Sequence, residues 1–281
     1  MSVVFDSEKI FVRPSPTAHI DALAGSLPGD RNDVHLKTQR IIFLNSQGYV
    51  ATLSDGTVVK VFRTVFTSGS EPVRRELRMM ILAGDCSVTP LGRLFSKGTL
   101  CGIVMSCGTS IVPPATEPTA VSVVDPSLPV ATRVWVIDQL RNLVTRLHGH
   151  HIIHGDIKPS NLLICQTSSG PQLRLCDFGC ANVESEAEPS RALSIRYTSP
   201  FILNVYPPVP LSREQDLYAT GISIWEIHTG RIPFDSILDE GEVEDHIRNG
   251  GRPDVRSFDV GLANIIAQYL NAGNRAPQAS R

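Results

Sequence analysis

The chain has 281 residues, 42% of them apolar, and its 26 Lys and Arg against 28 Asp and Glu leave a net charge of −2. At roughly 150 residues per domain this allows one large domain or two lobes, with enough apolar content to bury a core and none of the composition of a disordered polymer. The balanced charge excludes the Lys/Arg excess that a dedicated nucleic-acid binder sets against phosphates, and no apolar run approaches the ~18 residues of a membrane-spanning helix.

The first residues carry Asp6 and Glu8 where a secretory signal needs a basic start and an apolar stretch, so an intracellular protein, cytoplasmic or nuclear, is expected. Residues 1–37 mix Pro, Gly, Asp and Asn without a period and read as a loosely structured extension. From Arg40 the pattern turns to strands: 40–44, then 49–53, then 57–62, the last two joined across Asp55-Gly56, a dipeptide that supplies the positive φ angles of a tight hairpin turn. A helix follows over about 71–82, starting near Ser70, with Pro72 in its first turn and Val73, Leu77, Met80 and Ile81 as its apolar stripe. Glu76 lies on the edge of that stripe, and a carboxylate so placed needs a cationic partner.

Apolar segments at 88–95 and 100–105 lead to Ser106-Cys107-Gly108. Five prolines between 111 and 130 then mark an irregular connection, the best candidate for a boundary between lobes. A long helix is expected over about 131–147, with Val134, Ile137, Leu140, Val144 and Leu147 on one face. Further on, Ser212-Arg213-Glu214-Gln215 fits a capping box opening a helix through His228, apolar nearly all round and therefore buried. Shorter helices are expected at 242–248, stopped by Gly250-Gly251, and at 262–270. Strands first and helices second make an α+β, two-lobe layout. The six cysteines, at 86, 101, 107, 165, 176 and 180, include no C-x-x-C pair, so reduced and mostly buried thiols are expected.

The informative stretch is Ile153-His-Gly-Asp-Ile-Lys-Pro-Ser-Asn-Leu-Leu-Ile164, followed by Leu173-Arg-Leu-Cys-Asp-Phe-Gly179. The segments 162–164 and 173–176 read as short strands around a turn at 168–171. If they pair, Asn161 faces Asp177, and an amide oxygen and a carboxylate converge as a hard cation such as Mg²⁺ requires. Asp156 and Lys158 project from the loop leading into the same corner. A carboxylate, a fixed cation and a metal site together are what phosphoryl transfer needs.

These motifs resemble the catalytic and metal-binding motifs of eukaryotic protein kinases of the Ser/Thr type. The resemblance covers about residues 38–281 and implies the family's fold, a small β-rich N-lobe (38–105), a hinge (106–108) and a larger helical C-lobe (109–281), with ATP and Mg²⁺ as cofactors and a protein as substrate. By the same resemblance Lys60 holds the α- and β-phosphates and Glu76 is its partner. Met105 is the gatekeeper, and Ser106 to Gly108 bind adenine through their backbone. Asp156 is the catalytic base, Lys158 the γ-phosphate lysine, and Asn161 and Asp177 the Mg²⁺ ligands. Asp216 and Gly221 match the family's D-x-x-x-x-G helix start.

Four departures accompany the match. The glycine-rich loop, 43–50, keeps only Gly48, two residues before Val50, with Phe43 and Asn45 in place of glycines, so weaker ATP affinity is expected. Gly155 replaces the arginine that engages an activation-loop phosphate, which makes loop phosphorylation a poor on-switch. Ser199-Pro200-Phe201 replaces A-P-E, removing the glutamate that would pair with Arg275. The sequence ends six residues after Arg275, before the family's last helix, and a less stable lower lobe is expected.

Other features carry two readings each. His148, His150, His151 and His154 invite zinc but lack ligands at matching spacing, which favours structural roles. Cys176 and Cys180 flank Asp177 as redox-sensitive or as inert thiols. The run Glu184 to Glu188 mimics a phosphorylated loop or is a solvated segment. For function, ATP-dependent phosphorylation of Ser/Thr in proteins leads. A small-molecule phosphotransferase, suggested by the His-Gly-Asp spelling, and a pseudokinase acting as a scaffold are the alternatives. Oligomeric state is open.

Overall fold

In the computed structural model, which describes residues 2–4, 34–35, 38–44, 48–63, 65, 69–96, 98–113, 123–186 and 194–276, the chain divides after Thr109 into two units. The first is built on an antiparallel sheet of β1 (Ser2–Val4), β2 (Val34–His35), β3 (Thr38–Leu44), β4 (Gly48–Leu53), β5 (Val58–Phe62), β6 (Pro90–Ser96) and β7 (Thr99–Met105), in the order β2-β1-β6-β7-β5-β4-β3. Residues 2–4 and 34–35, expected within a loosely structured extension, thus supply two strands, with Val3 opposite Ser96. The remainder of 1–37 lies outside the described residues.

The turn between β4 and β5 differs in kind from the expected one. Only Gly56 takes a positive φ, 81°; its N–H reaches Leu53 O at 3.1 Å while Leu53 N–H reaches Thr57 O at 2.8 Å. Asp55 stays at negative φ and uses its carboxylate to accept from the Thr57 amide (3.0 Å) and hydroxyl (2.6 Å). A type I turn closed by glycine does the work of the expected two-residue turn.

Helix α1 (Glu71–Ala83) lies on β6 and β7 and buries Val73, Leu77, Met79 and Met80. Ser70 precedes it, but its hydroxyl donates to Leu100 O at 2.7 Å, so the residue fastens the helix to the sheet and does not cap it. A two-residue strand, β8 (Thr109–Ser110), sits at the division of the units.

The second unit is mainly helical: α2 (Val130–Gly149), α3 (Pro200–Asn204), α4 (Arg213–Thr229), α5 (Glu240–Arg248) and α6 (Val260–Ala272). Four strands accompany them, β9 (Ile152–Ile153) paired with β12 (Asn182–Val183), and the hairpin β10 (Leu162–Thr167) with β11 (Gly170–Leu175). A β-rich unit followed by a helical one is the expected α+β class. Helix α4 is buried on every side and packs against α2 and α6, as its continuous apolar character requires. On α2 the buried stripe is Val136, Ile137, Leu140, Leu143, Val144 and Leu147, whereas Val134 is 54% exposed. Four of the five expected members, Ile137, Leu140, Val144 and Leu147, are buried, and only Val134 falls outside, its place at the start of the stripe being taken by Val136.

The capping box at the start of α4 does not form: Ser212 makes no side-chain cap. Gln215 instead accepts the Ser199 amide through Oε1 (2.9 Å) and donates Nε2 to Tyr197 O (2.9 Å). Both ends of a side chain only 4% exposed are satisfied, and the stretch 197–199, just before Phe201 where the family resemblance puts a glutamate, is held on α4.

Candidate active site

In the first unit, Lys60 is on β5, between Val50 of β4 and Ile103 of β7 in register. Strand alternation buries Val59 and leaves the Lys60 side chain 21% exposed, directed at α1. There Glu76, 2% exposed, meets it: the Lys60 ammonium lies 2.7 Å from Oε1 and 2.8 Å from Oε2. A carboxylate on an apolar stripe is tolerated only with such a partner. The Lys60 ammonium also lies 5.1 Å from the centre of the Phe62 ring.

Gly48 is constrained by the sheet itself. A Cβ at this position would meet Val61 O at 2.0 Å, so close approach of β4 to β5 demands glycine here whatever the loop binds. Val50 is half-buried and opposite Lys60. Residues 45–47, including the departure at Asn45, lie outside the described residues, while Phe43 is 55% exposed. At the expected hinge, Ser106 is tied to Thr89 in both directions, its N–H to Thr89 O at 2.9 Å and its Oγ accepting Thr89 N–H at 3.1 Å. Gly108 O accepts a weak Cys107 Sγ contact at 3.7 Å.

In the second unit, Asp156, Lys158 and Asn161 converge with a fourth residue, Ser194. Asp156 Oδ1 accepts the Ser194 hydroxyl at 2.7 Å; Oδ2 lies 2.7 Å from the Lys158 ammonium and accepts Asn161 Nδ2 at 3.0 Å. Lys158 also donates to Ser194 Oγ at 2.9 Å, and Asn161 Nδ2 to Asp156 O at 2.8 Å. Since the amide nitrogen of Asn161 is committed to Asp156, its amide oxygen is the atom it can offer to a cation. Ser194 is 38 positions from Asp156 in sequence, and no local pattern announced it.

The β10–β11 register places Leu162 opposite Leu175, so Asn161 faces Cys176, whose N–H it accepts at 3.0 Å, and not Asp177 as expected. Asp177 comes one residue later, in the left-handed region (φ 60°, ψ 69°), preceding the 3₁₀ turn Phe178–Cys180. That conformation costs a non-glycine residue about 1–3 kcal/mol, and Asp is among the side chains that bear it best. Phe178, fully buried, anchors the turn by edge-on contact with His154 at 4.8 Å.

The backbone of the catalytic-type loop hangs on Asp216. Its carboxylate, 0% exposed, accepts the amides of His154 and Gly155 at 2.8 Å each and the His148 ring Nε2 at 3.0 Å. His154 in turn accepts the Asp156 N–H on Nδ1 (3.3 Å), so Nε2 carries the proton and donates to Cys176 O (3.1 Å). Two of the four histidines are therefore hydrogen-bonding struts of the loop. Gly155 has φ 76°, and a Cβ on it would meet Leu211 Cδ1 at 2.8 Å and Cys180 O at 3.0 Å. Any side chain here would take a left-handed backbone and press on Leu211 and the Cys180 carbonyl.

Two pairs that sequence reasoning missed flank this loop. The Tyr197 hydroxyl donates to Glu226, a carboxyl 2% exposed on α4. Burial pushes Glu226 up to about 7, even though the bonds from Tyr197 and the Val124 amide oppose it, and burial raises Tyr197 well above its usual range. Arg213 forks onto Glu184, and that bond holds the Glu184 carboxyl below its ordinary range. Glu188, the last carboxylate of the acidic run, lies outside the described residues.

The model of the family described as Protein kinase domain matches residues 58–265. Among curated proteins, the chain is 33% identical over 126 residues to a probable serine/threonine-protein kinase, gdt8, of Dictyostelium discoideum, covering 43% of this chain and 9% of that protein. It is 29% identical over 169 residues to the serine/threonine-protein kinase pkn2 of Myxococcus xanthus, covering 54% and 20%. To the serine/threonine-protein kinase ppk25 of Schizosaccharomyces pombe it is 34% identical over 139 residues, covering 49% and 32%. The matched part is thus a third or less of the length of these relatives.

Proposed function

We propose that this chain, which belongs to the protein kinase family, transfers the terminal phosphoryl group of ATP to serine and threonine hydroxyls of protein substrates. The observation that carries the reading is the Asp156 carboxylate: one oxygen accepts a hydroxyl, that of Ser194 at 2.7 Å, and the other is matched by the Lys158 ammonium at 2.7 Å. A carboxylate so held can accept the proton of an attacking hydroxyl, and the ammonium beside it can offset charge on the transferred group.

Asn161 Oδ1 and the Asp177 carboxylate are hard oxygen donors of the kind Mg²⁺ takes, and Lys60, oriented by Glu76, suits the α- and β-phosphates. Bound Mg²⁺ supplies neutralisation of phosphate charge during transfer. In the same proposal Gly48, Val50, Ser106 and Gly108 border the nucleotide, residues 106–108 serve as hinge within a domain of 38–281, and 1–37 precede it. A cytoplasmic or nuclear location is part of the same proposal, and no helix of the described residues is long and apolar enough to cross a membrane. Lys158, two residues after Asp156, and the names of the relatives favour a protein acceptor over an aminoglycoside.

The test uses Lys60→Met and Asp156→Asn in protein whose fold is checked by circular dichroism. Each should lower Mg²⁺-dependent transfer from ATP to a generic protein substrate by at least about 100-fold. Unchanged rates refute the assignment, and transfer to aminoglycosides in place of protein overturns the substrate class.

A further inference from the structure

The first turn of α4 grips both strands of the β9–β12 pair. Asp216 holds the β9 side through the amides of His154 and Gly155. Arg213, three residues earlier and so on the same helix face, holds the β12 side. Its Nε donates to Glu184 Oε1 at 2.8 Å and its Nη2 to Oε2 at 2.7 Å. Glu184 extends the strand pair by one more main-chain bond, its N–H to His151 O at 2.9 Å. The His151 ring adds Nδ1 at 3.3 Å from Arg213 Nη2 and 3.5 Å from Glu184 Oε2. The Arg213 and Glu184 side chains are only 36% and 29% exposed. A half-shielded, two-pronged pair is the geometry in which an ion pair contributes more than the small effect usual at a surface.

Both strands lead to proposed reacting groups: β9 runs into the loop that carries Asp156, and β12 follows the turn that begins at Asp177. Gly155, meanwhile, stands where the family resemblance puts an arginine that engages a loop phosphate, and an added Cβ there would press on Leu211 and Cys180. We propose that Arg213 is a positioning residue which, through Glu184, fastens these strands with a carboxylate the chain always carries. Asp156 and Asp177 are thereby set for transfer without phosphorylation of the segment after Asp177. This rests on the kinase reading for its effect on rate; the tether itself does not.

The experiment uses the full chain after phosphatase treatment, as wild type, Arg213→Gln, Glu184→Gln, Arg213→Lys, and the charge exchange Arg213→Glu with Glu184→Arg. Steady-state kinetics give kcat and the KM for ATP, and amide hydrogen exchange follows Ile153, Asn182, Val183 and Glu184, with the α6 amides as the measure of overall folding. Phosphatase should leave the wild-type rate unchanged. Arg213→Gln and Glu184→Gln should lower kcat about tenfold with KM for ATP held, and speed exchange at Glu184 about tenfold, with α6 unaffected. Arg213→Lys should fall between, and the charge exchange should recover part of both. Loss of wild-type activity on phosphatase treatment overturns the proposal. So does faster exchange with unchanged kcat, which leaves Arg213 a merely structural residue, and so does exchange that stays at the wild-type rate. If wild type transfers no phosphate under any condition, the kinase reading fails, and the exchange data still decide whether Arg213 fastens the strands.

Discussion

Replacing Asp216 by Asn alters one atom and leaves the volume of the side chain intact, yet it removes an acceptor from a site with three donors. Oδ2 takes the His154 amide and the His148 ring, and Oδ1 takes the Gly155 amide, all in a position with 0% exposure. An Asn amide has one oxygen. Whichever way it turns, its NH₂ faces a buried main-chain N–H, that of Gly155 or that of His154, and in the second case it also faces His148, whose Nε2 must then be unprotonated to bond. An orphaned buried donor costs about 1–3 kcal/mol, and loss of charge assistance on the remaining bonds moves the total to the upper end. Against a total stability of roughly 5–15 kcal/mol this is a large fraction, and it corresponds to a fall in Tm of several degrees. Both tryptophans, Trp135 and Trp225, lie in the second unit, so urea unfolding followed by their fluorescence reports on the right part of the chain. Because Asp156 directly follows the two tethered amides, kcat should fall by about tenfold or more along with stability. Asp216→Ala, which orphans all three donors, should cost more than Asp216→Asn. An Asp216→Asn protein with the wild-type urea midpoint and unchanged amide exchange at His154 and Gly155 would refute the reasoning.

Glu226 makes stability depend on pH in an unusual direction. The folded protein keeps a proton there up to about pH 7, whereas the unfolded chain releases it in the ordinary carboxylate range. Its contribution is therefore complete below that range, declines as pH rises to about 7, and is flat above it, with a total of order 3 kcal/mol at most. Glu226→Gln should flatten the difference in Tm between pH 5 and pH 7.5, and a variant with the wild-type slope would count against the assignment. Gly155→Ala should destabilise by about 1–4 kcal/mol, since it adds left-handed strain to contact with Leu211 and Cys180. Thermal unfolding measures this, and a neutral result would show that Leu211 yields without cost.

Much of the candidate site could be read from order along the chain. Glu76, Asp156, Lys158, Asn161 and Asp177 draw attention through residue type and position, while Lys60 and the roles of all six come from the resemblance to the protein kinases. Glu76 shows how far the physics reaches: a carboxylate on the edge of an apolar stripe predicts a cation, and Lys60 is that cation at 2.7 Å. The α+β class followed in the same way, from alternation in the first third and a 3.6-residue period afterwards.

Tertiary structure decided which atoms meet. Ser194 joins Asp156 across 38 positions, and Asp216 reaches the His154 amide across 62. Gln215 leaves its expected cap to bridge Tyr197 and Ser199, and Arg213 finds Glu184. Periodicity registers only local neighbours, so it could not see these partners. Nor could it settle whether Cys176 or Asp177 lies opposite Asn161, or whether Val134 or Val136 belongs to the buried face of α2. Each such choice turns on which pairing satisfies buried donors and fills the space between elements, and that is defined only once the elements are packed.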